Sequence, residues 1–143
     1  MADRQVIADF TRSMGIATSG LRAQAGRMRV ISENIANADS TAATAGGDPY
    51  RRKVPTFSSS LDRVLDANVV ALGKIRPDTT AFRVKHEPGN PAADAAGNVK
   101  YPNVNPLVEM TDMREAQRSY EANLNIISAT RRMIQRTLDI LKS

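Results

Sequence analysis

Residues 105–141, NPLVEMTDMREAQRSYEANLNIISATRRMIQRTLDIL, carry the clearest helical pattern of apolar residues in the chain. The pattern repeats in alternating steps of four and three residues, which is the spacing of a coiled-coil seam. One seam position holds Met113, Tyr120, Ile127, Ile134 and Leu141, and the other holds Gln117, Leu124, Arg131 and Leu138. A helix of this length spans about 55 Å, far more than one small core needs to cover. We therefore predict a long helix whose apolar stripe packs against an equally long partner.

The start and the flanks of this segment agree with a long helix. Asn105 is suited to cap the first turn, and Pro106 occupies a position where its missing N–H is harmless. Glu109 lies near the positive end of the helix dipole, and no proline follows Pro106. Further apolar residues widen the seam into a broad stripe: Met110, Ala116, Ile126, Met133 and Ile140. The predicted C-terminal helix therefore covers residues 106–143.

The first 40 residues show a second heptad pattern of matching length. Its seam residues are Asp3, Ile7, Phe10, Met14, Ala17, Leu21, Gln24, Met28, Ile31, Ile35 and Ala38. Two long helices with apolar stripes predict an antiparallel coiled-coil-like hairpin. Gly15, Gly20 and Gly26 each cost about 1 kcal/mol relative to Ala in a helix. They indicate either close helix packing or a segment that folds only against neighbouring subunits.

The middle of the chain has a different pattern, because all seven prolines lie between residues 49 and 106. Ser58–Asp66 has the apolar spacing of a short helix. Three segments are expected to be extended, with a Pro/Gly/Asn turn between the last two: Val69–Ile75, Ala81–His86 and Val99–Tyr101. We therefore predict a mainly α fold, in which residues 1–40 and 106–143 form one α domain and residues 41–105 form a loop and a small β-containing insertion.

Composition limits the classes of protein to which this chain can belong. The 143 residues are 41% apolar, with three tyrosines, three phenylalanines and no tryptophan, which suits a helical seam better than a deep core. We therefore expect oligomerisation. The absence of cysteine excludes disulfides and thiolate metal sites. Residues 1–40 lack the apolar core of a signal peptide, and no segment is apolar over the length of a membrane span. We expect no direct membrane insertion, and any export to proceed without a cleaved signal peptide.

The net charge of +5 raises the possibility of nucleic-acid binding. Residues 1–40 hold five basic and four acidic residues, and residues 106–143 hold six and five, so both predicted helices are nearly balanced. The one dense basic run is Arg51-Arg52-Lys53. Three adjacent charges with no known nucleic-acid-recognition motif beside them fit a solvated or salt-bridging segment better than a nucleic-acid site.

The sequence also lacks the residue combinations of an enzyme. His86 is the single histidine and has no nucleophile to pair with in a recognisable pattern. Gly46-Gly47 lacks the Lys-Ser/Thr of a phosphate loop, and the run Ser58–Ser60 lacks the pattern of a nucleophile elbow. We therefore predict a protein that is not an enzyme, with no cofactor and no metal site.

Several short motifs resemble one protein family. The stretch Asn34-Ile35-Ala36-Asn37-Ala38 and the later Tyr50-Arg51-Arg52-Lys53 resemble the N-terminal signature of bacterial flagellar rod, hook and related axial proteins. Further motifs resemble the proximal-rod branch of that family in order and spacing: Pro88-Gly89-Asn90-Pro91, Gly97, Tyr101-Pro102-Asn103-Val104-Asn105, Glu109-Met110, Asp112-Met113 and Ser119-Tyr120-Glu121-Ala122-Asn123. The chain departs from the family in lacking a compact Thr-Pro-Gly-Tyr after the Asn-rich stretch.

The resemblance implies a structural subunit of the proximal rod, located in the periplasm and exported by the flagellar type III apparatus. Its implied partners are itself, other rod proteins and the proteins of the junction between the rod and the membrane-embedded MS ring, with no nucleic acid. Seam and signature residues become the expected assembly interface: Phe10, Met14, Leu21, Met28, Ile31, Asn34, Ile35, Asn37, Met113, Tyr120, Leu124, Ile127, Ile134, Leu138 and Leu141. Two alternatives stay open, a type III-secreted coiled-coil translocator or effector and a basic nucleic-acid-binding module.

Overall fold

The computed structural model describes residues 2–142, with side chains from residue 4 onward. Residues 1 and 143 of the predicted terminal segments therefore lie outside the described residues. The elements in chain order are α1 (Ala2–Ala36), β1 (Lys53–Val54), β2 (Phe57–Asp62), β3 (Ala67–Leu72), β4 (Arg76–Pro77), β5 (Arg83–His86), β6 (Asn98–Tyr101) and α2 (Pro106–Lys142). The strands form three two-stranded antiparallel sheets, which pair β1 with β4, β2 with β3 and β5 with β6.

The predicted mainly α class is wrong, because the described chain is a mixed α and β structure. The two predicted terminal helices are present, but the region between them forms three strand pairs and not one small hairpin. The prediction underestimated the strands because β2 has helix-like apolar spacing and three consecutive serines, and because β1 and β4 are only two residues long and pair across more than 20 positions.

A strand pair replaces the helix that was predicted at Ser58–Asp66. β2 pairs with β3 along its whole length. After β2, the Asp62 carboxylate accepts hydrogen bonds from the backbone amides of Val64 (2.9 Å) and Leu65 (3.2 Å). This turn returns the chain into β3, whose valines favour an extended backbone. Cross-strand pairing therefore overrides the helix-like spacing of the apolar residues.

The chain divides into two compact units. The first comprises the described parts of residues 1–27, 57–73 and 115–143, and the second comprises residues 28–56 and 74–114. Each helix contributes one part to each unit. Hydrogen bonds and close contacts are described below within one unit at a time.

In the first unit, α1 and α2 run antiparallel. Phe10 lines an apolar groove together with Ile134. Farther along α1, a Cβ added at Gly20 would lie 2.8 Å from the Asn123 amide nitrogen. Arg27 then forms an ion pair with Glu115 of α2 at 3.6 Å. Later residues of α1 therefore contact earlier residues of α2, as expected for an antiparallel pair of helices.

The face of α2 that is shielded from solvent differs in part from the predicted seam. The predicted line through Met113, Tyr120, Ile127 and Ile134 is half-buried, although Leu141 at its end is exposed. The second buried line lies one residue earlier than predicted, at Ala116, Asn123, Thr130 and Thr137. The predicted members of that line are exposed: Gln117, Leu124, Arg131 and Leu138.

Small residues explain this shift. Ala17 and Ala23 of α1 are buried, and Gly20 between them contacts α2. Such residues bring two helix backbones close together, so that the facing positions of α2 hold small or polar side chains such as the buried Ala116 and Thr130. The larger leucines of α2 are left on its outer sides.

The β2–β3 hairpin packs on another part of α1 through two leucines. Leu65 lies directly against Gly15, and a Cβ at Gly26 would lie 2.8 Å from a methyl carbon of Leu72. These contacts, together with that of Gly20, support the close-packing interpretation of the three glycines. An apolar side chain at Gly15 or Gly26 would therefore require the Leu65 or Leu72 side chain to move.

The second unit contains the β-hairpin that the sequence predicted. β5 pairs with β6 in the register Arg83↔Tyr101 to His86↔Asn98, so both predicted strands and the turn between them are confirmed. The turn is closed by the Glu87 amide, which donates to the Gly97 carbonyl at 2.8 Å. Gly97 has a φ of +81°, a backbone conformation that favours glycine. Below the hairpin, Val99 and Tyr101 form a small core with Ala92.

The start of α2 also follows the prediction. The Asn105 side-chain oxygen accepts a hydrogen bond from the Leu107 amide at 3.1 Å, and its carbonyl accepts one from the Glu109 amide at 3.1 Å. Pro106 is the first helical residue. The predicted cap at Asn105 is therefore confirmed.

Candidate functional site: a buried polar network and the exposed faces of the helices

A fully buried asparagine lies near the end of α1. The Asn34 side-chain oxygen accepts hydrogen bonds from the Tyr50 hydroxyl at 2.8 Å and the Lys53 amide at 2.9 Å. Its amide group donates to the Lys53 carbonyl at 2.8 Å and to the Glu109 carboxylate at 3.1 Å. Both acceptor positions and both donors of Asn34 are therefore used. The side chain joins α1 to the Tyr50–Lys53 segment and to the first turns of α2.

The second centre of this network is a buried charge pair. Glu109 is 1% exposed, and its carboxylate accepts a hydrogen bond from Nε of Arg52 at 2.5 Å. The Arg52 guanidinium also lies 3.3 Å from Asp78 and 3.8 Å from Asp112. A buried carboxylate needs such a partner, because an unpaired charge away from water is strongly unfavourable.

The electrostatics of the network follow from burial and the nearby carboxylates. Burial alone would lower the pKa of the Arg52 guanidinium, but the hydrogen bond and charge of Glu109, with those of Asp78, outweigh it and raise that pKa. Burial, with the negative charges of Glu33 and Glu109, raises the pKa of Tyr50 to about 12. The Tyr50 hydroxyl therefore keeps the proton that it donates to Asn34 well above neutral pH.

All three residues of the basic run Arg51-Arg52-Lys53 are engaged within the chain. Arg51 donates to the carbonyls of Asp78 (2.9 Å) and Thr80 (3.1 Å), and its guanidinium stacks 4.1 Å above the Phe82 ring. The Arg52 backbone amide donates a hydrogen bond to the Asn103 side-chain oxygen at 2.8 Å, and the Lys53 side chain forms an ion pair with Glu33. The salt-bridging interpretation of this run is therefore confirmed.

The network of Asn34, Tyr50, Arg52 and Glu109 holds three segments of the chain together by hydrogen bonds and an ion pair, so its chemistry is structural. These four residues are called the clamp below. In residues 2–142, no group of three or more His, Cys, Asp or Glu side chains is arranged to hold a metal ion. His86 lies exposed on β5, with its Nδ1 3.3 Å from the Asn98 side-chain oxygen. Neither helix in the described part of the chain is long and apolar enough to cross a membrane.

The structure separates the predicted interface residues into three groups by burial. Ile31 and Asn34 are buried within the chain, and the Asn37 side chain donates to the Glu33 carbonyl at 2.8 Å. Half-buried positions are Phe10, Met14, Leu21, Met28, Ile35, Asn37, Met113, Tyr120, Ile127 and Ile134. Exposed positions are Leu124 at 46%, Leu138 at 43% and Leu141 at 55%. Ile31 and Asn34 serve the interior of this subunit, whereas the exposed leucines remain available to a neighbour.

Further exposed apolar residues form a line on the other side of α2. Ile126 is 46% exposed, Met133 is 47% exposed and Ile140 is 73% exposed. These residues recur every seven positions, so they lie above one another on the helix. The half-buried line of Tyr120, Ile127 and Ile134 therefore has exposed apolar side chains on both flanks.

Sequence reasoning missed the clamp residues Tyr50, Arg52 and Glu109 as a group. Arg52 and Glu109 are 57 positions apart, and nothing in the spacing of the two residues indicates that they meet. A polar Asn34 within an apolar helical stretch was the available signal, because a buried amide requires partners. Ile126, Met133 and Ile140 were recognised as flanking residues without being assigned to the interface.

Two family models match the chain at its two ends. The model described as flagella basal body rod protein matches residues 14–43, and the model for the C-terminal region of flagellar basal body rod FlgEFG proteins matches residues 95–140. The matched segments contain Asn34 and Glu109 of the network, whereas Tyr50 and Arg52 lie between them. The two models agree with the resemblance that the sequence motifs indicated.

Curated relatives cover nearly the whole chain. A flagellar basal-body rod protein FlgC from Agrobacterium fabrum is 55% identical over 90% of this chain and 92% of its own length. FlgC from Bacillus subtilis is 39% identical over 91% and 97%, and FlgC from Salmonella typhimurium is 37% identical over 87% and 92%. These relatives are structural rod proteins, not enzymes. The chain therefore belongs to the FlgC family and is a structural subunit of the flagellar basal-body rod.

Proposed function

We propose that this subunit polymerises helically into the proximal part of the rod, where α1 and α2 form the tube that transmits torque and surrounds the export channel. The observation that supports this most directly is the pair of exposed apolar lines on α2. Leu124 and Leu138 belong to one line, with the exposed Arg131 between them, and Ile126 and Met133 lie on the other. Both lines belong to the same compact unit as the contact with α1.

The positions of these residues indicate how many neighbours α2 requires. In a two-helix coiled coil, the positions that flank the seam are often charged, because they form salt bridges between the two helices. Here apolar residues occupy both flanks, and α1 covers only the seam between them. Each fully buried aliphatic side chain contributes about 1.5–3 kcal/mol, so a helix with these flanks gains stability from a neighbour on each side. Heterologous contacts in a helical polymer supply two such neighbours.

The buried clamp supports a role in transmitting torque. Asn34, Arg52 and Glu109 connect both helices and the Tyr50–Lys53 segment inside the second unit. A fully satisfied polar network gives one defined arrangement of the elements it joins. A subunit that transmits torque needs such a fixed internal geometry.

The family also suggests location and partners. We infer that the subunit acts in the periplasm and contacts other rod proteins and the proteins at the junction with the MS ring. We further infer export through the flagellar type III apparatus without a cleaved signal peptide. The glycines of α1 suit that route, because Gly15, Gly20 and Gly26 weaken the helix outside its packed state.

A pair of matched substitutions tests the assembly proposal. Met133→Asp places a charge in an exposed apolar line, whereas Ser128→Asp places the same charge at an exposed polar position of α2. Both monomers are expected to keep the circular dichroism of the unmodified protein. Only Met133→Asp is expected to abolish motility and the recovery of basal bodies, at equal export levels. Normal motility with Met133→Asp would contradict the proposed helix contact.

A further inference from the structure

One edge of the β2–β3 hairpin is covered by α1. The Val70 amide of β3 donates a hydrogen bond to the Ser19 hydroxyl of α1 at 3.3 Å. This amide therefore points away from β2. Val70 is opposite Ser59 in the strand register, so these two residues form a pair that does not exchange ladder hydrogen bonds.

The alternation of an antiparallel ladder then defines the other edge. Ser58 and Ser60 direct their backbone groups toward β3, whereas Phe57, Ser59 and Leu61 direct theirs outward. Outside the strand ladders, no hydrogen bond within residues 2–142 involves a backbone group of Phe57, Ser59 or Leu61. Residues 57–61 are all exposed. β2 therefore presents a free edge with three outward N–H and three outward C=O groups.

This edge lacks the features that usually prevent strand pairing between proteins. Natural edge strands carry lysines, prolines, bulges or inward-pointing charges. Residues 57–61 contain none of these, the register with β3 is continuous, and Asp62 at the end is the first charge. An extended backbone is the ligand that such an edge binds, through main-chain hydrogen bonds.

We propose that the occupant of this edge is the β2 edge of a second copy of the chain. Phe57 and Leu61 lie symmetrically about Ser59, on one face of the strand, and are 45% and 59% exposed. When two such edges pair antiparallel about Ser59, Phe57 of each copy stands opposite Leu61 of the other. The outward groups then meet in register, and two aromatic–aliphatic pairs form across the junction.

The resulting contact joins two hairpins into one four-stranded antiparallel sheet. The contact uses the same patch on both copies and therefore closes at two, in contrast to the heterologous contacts of a polymer. It uses no residue of the exposed lines of α2, and it forms between subunits outside the polymer, because equivalent neighbours in a helical polymer are not related by a twofold axis.

Amide hydrogen exchange on the full-length protein tests the pairing directly. On raising the protein concentration, the amides of Phe57, Ser59 and Leu61 are expected to slow together, while those of Ser58 and Ser60 keep the rate set by the β2–β3 ladder. Unchanged rates for the three outward amides in a concentrated sample would overturn the proposal. Protection of those amides only after another rod subunit is added would also overturn it, because the occupant would then not be a second copy.

A matched pair of lysine substitutions separates this contact from any self-association through the helices. Leu61→Lys introduces a charge opposite Phe57 twice in the dimer, whereas Val64→Lys adds the same charge at the hairpin tip, where Val64 is 95% exposed. In sedimentation equilibrium, Leu61→Lys is expected to lower the dimer association constant about tenfold or more. Val64→Lys is expected to leave it unchanged. Equal dimerisation of both variants would refute pairing through β2.

Discussion

Replacing Glu109 with Gln removes the buried charge of the clamp while keeping the size of the side chain. Glu109 accepts hydrogen bonds from Arg52 at 2.5 Å and from Asn34 at 3.1 Å. Gln has one acceptor oxygen, so its NH2 group must face one of these donors. A hydrogen bond to a charged group contributes about 1.5–3 kcal/mol. Because Arg52 keeps Asp78 at 3.3 Å, we expect Glu109→Gln to lower the free energy of unfolding by about 2–3 kcal/mol.

Urea unfolding followed by circular dichroism at the helix band measures this loss. The control is Asp48→Asn, which removes the charge from an exposed ion pair in the same unit, with Lys100 at 2.8 Å. Exposed pairs contribute little, so the control is expected to keep the transition midpoint of the unmodified protein. Equal midpoints for Glu109→Gln and Asp48→Asn would show that the clamp is not an important source of stability.

Three further substitutions test other parts of the structure. Because the pKa of Tyr50 is raised from 10.0 to about 12, its contribution is present below pH 10 and is lost as the pH rises to 12. The unfolding free energy of the unmodified protein should therefore fall over this range by up to about 2 kcal/mol more than that of Tyr50→Phe, and parallel titrations would contradict this. Gly26→Val is expected to displace Leu72 and speed amide exchange in β3, whereas Gly89→Val, with nothing within 4 Å of a Cβ, should not; equal exchange in both would refute the packing. Asn105→Ala should destabilise the protein by about 1 kcal/mol in urea through loss of the α2 cap, and an unchanged midpoint would show that the cap is dispensable.

Features that depend on residues close together in the sequence were predictable. The Asn105-Pro106 start of α2 is a local signal, because the cap and the missing N–H act within one turn. The β5–β6 hairpin was equally visible, since alternating residues on either side of a Pro/Gly/Asn turn pair with the nearest strand. Both elements agree with the structure within two residues.

Features that are set by packing or pairing with another element, against the pattern of the segment itself, were not predictable in the same way. β2 contains three consecutive serines, and its extended conformation is stabilised by pairing with β3. The second buried line of α2 passes through Ala116 and Asn123 because Ala17 and Gly20 allow a close approach of α1. A heptad count on one helix contains no information about the size of residues on the other.

The candidate surfaces were predictable only in part. The heptad pattern identified apolar residues on α2, but it did not show which of them α1 covers and which remain exposed. Leu124 and Leu138 were assigned to a seam and are exposed, while the flanking Met133 is equally exposed. The clamp required the folded chain, because Arg52 meets Glu109 across 57 positions.

The oxidation rate of Met133 in intact basal bodies tests the proposed assembly most directly. Met133 is 47% exposed in the single subunit, and sulfoxide formation depends on access of the oxidant to the sulfur. Purified basal bodies and purified monomer would be treated with the same dose of hydrogen peroxide and analysed by mass spectrometry. We predict rapid oxidation of Met133 in the monomer and strong protection in the rod. Equal oxidation in both samples would show that this face of α2 stays open in the assembled rod and would contradict the proposed tube.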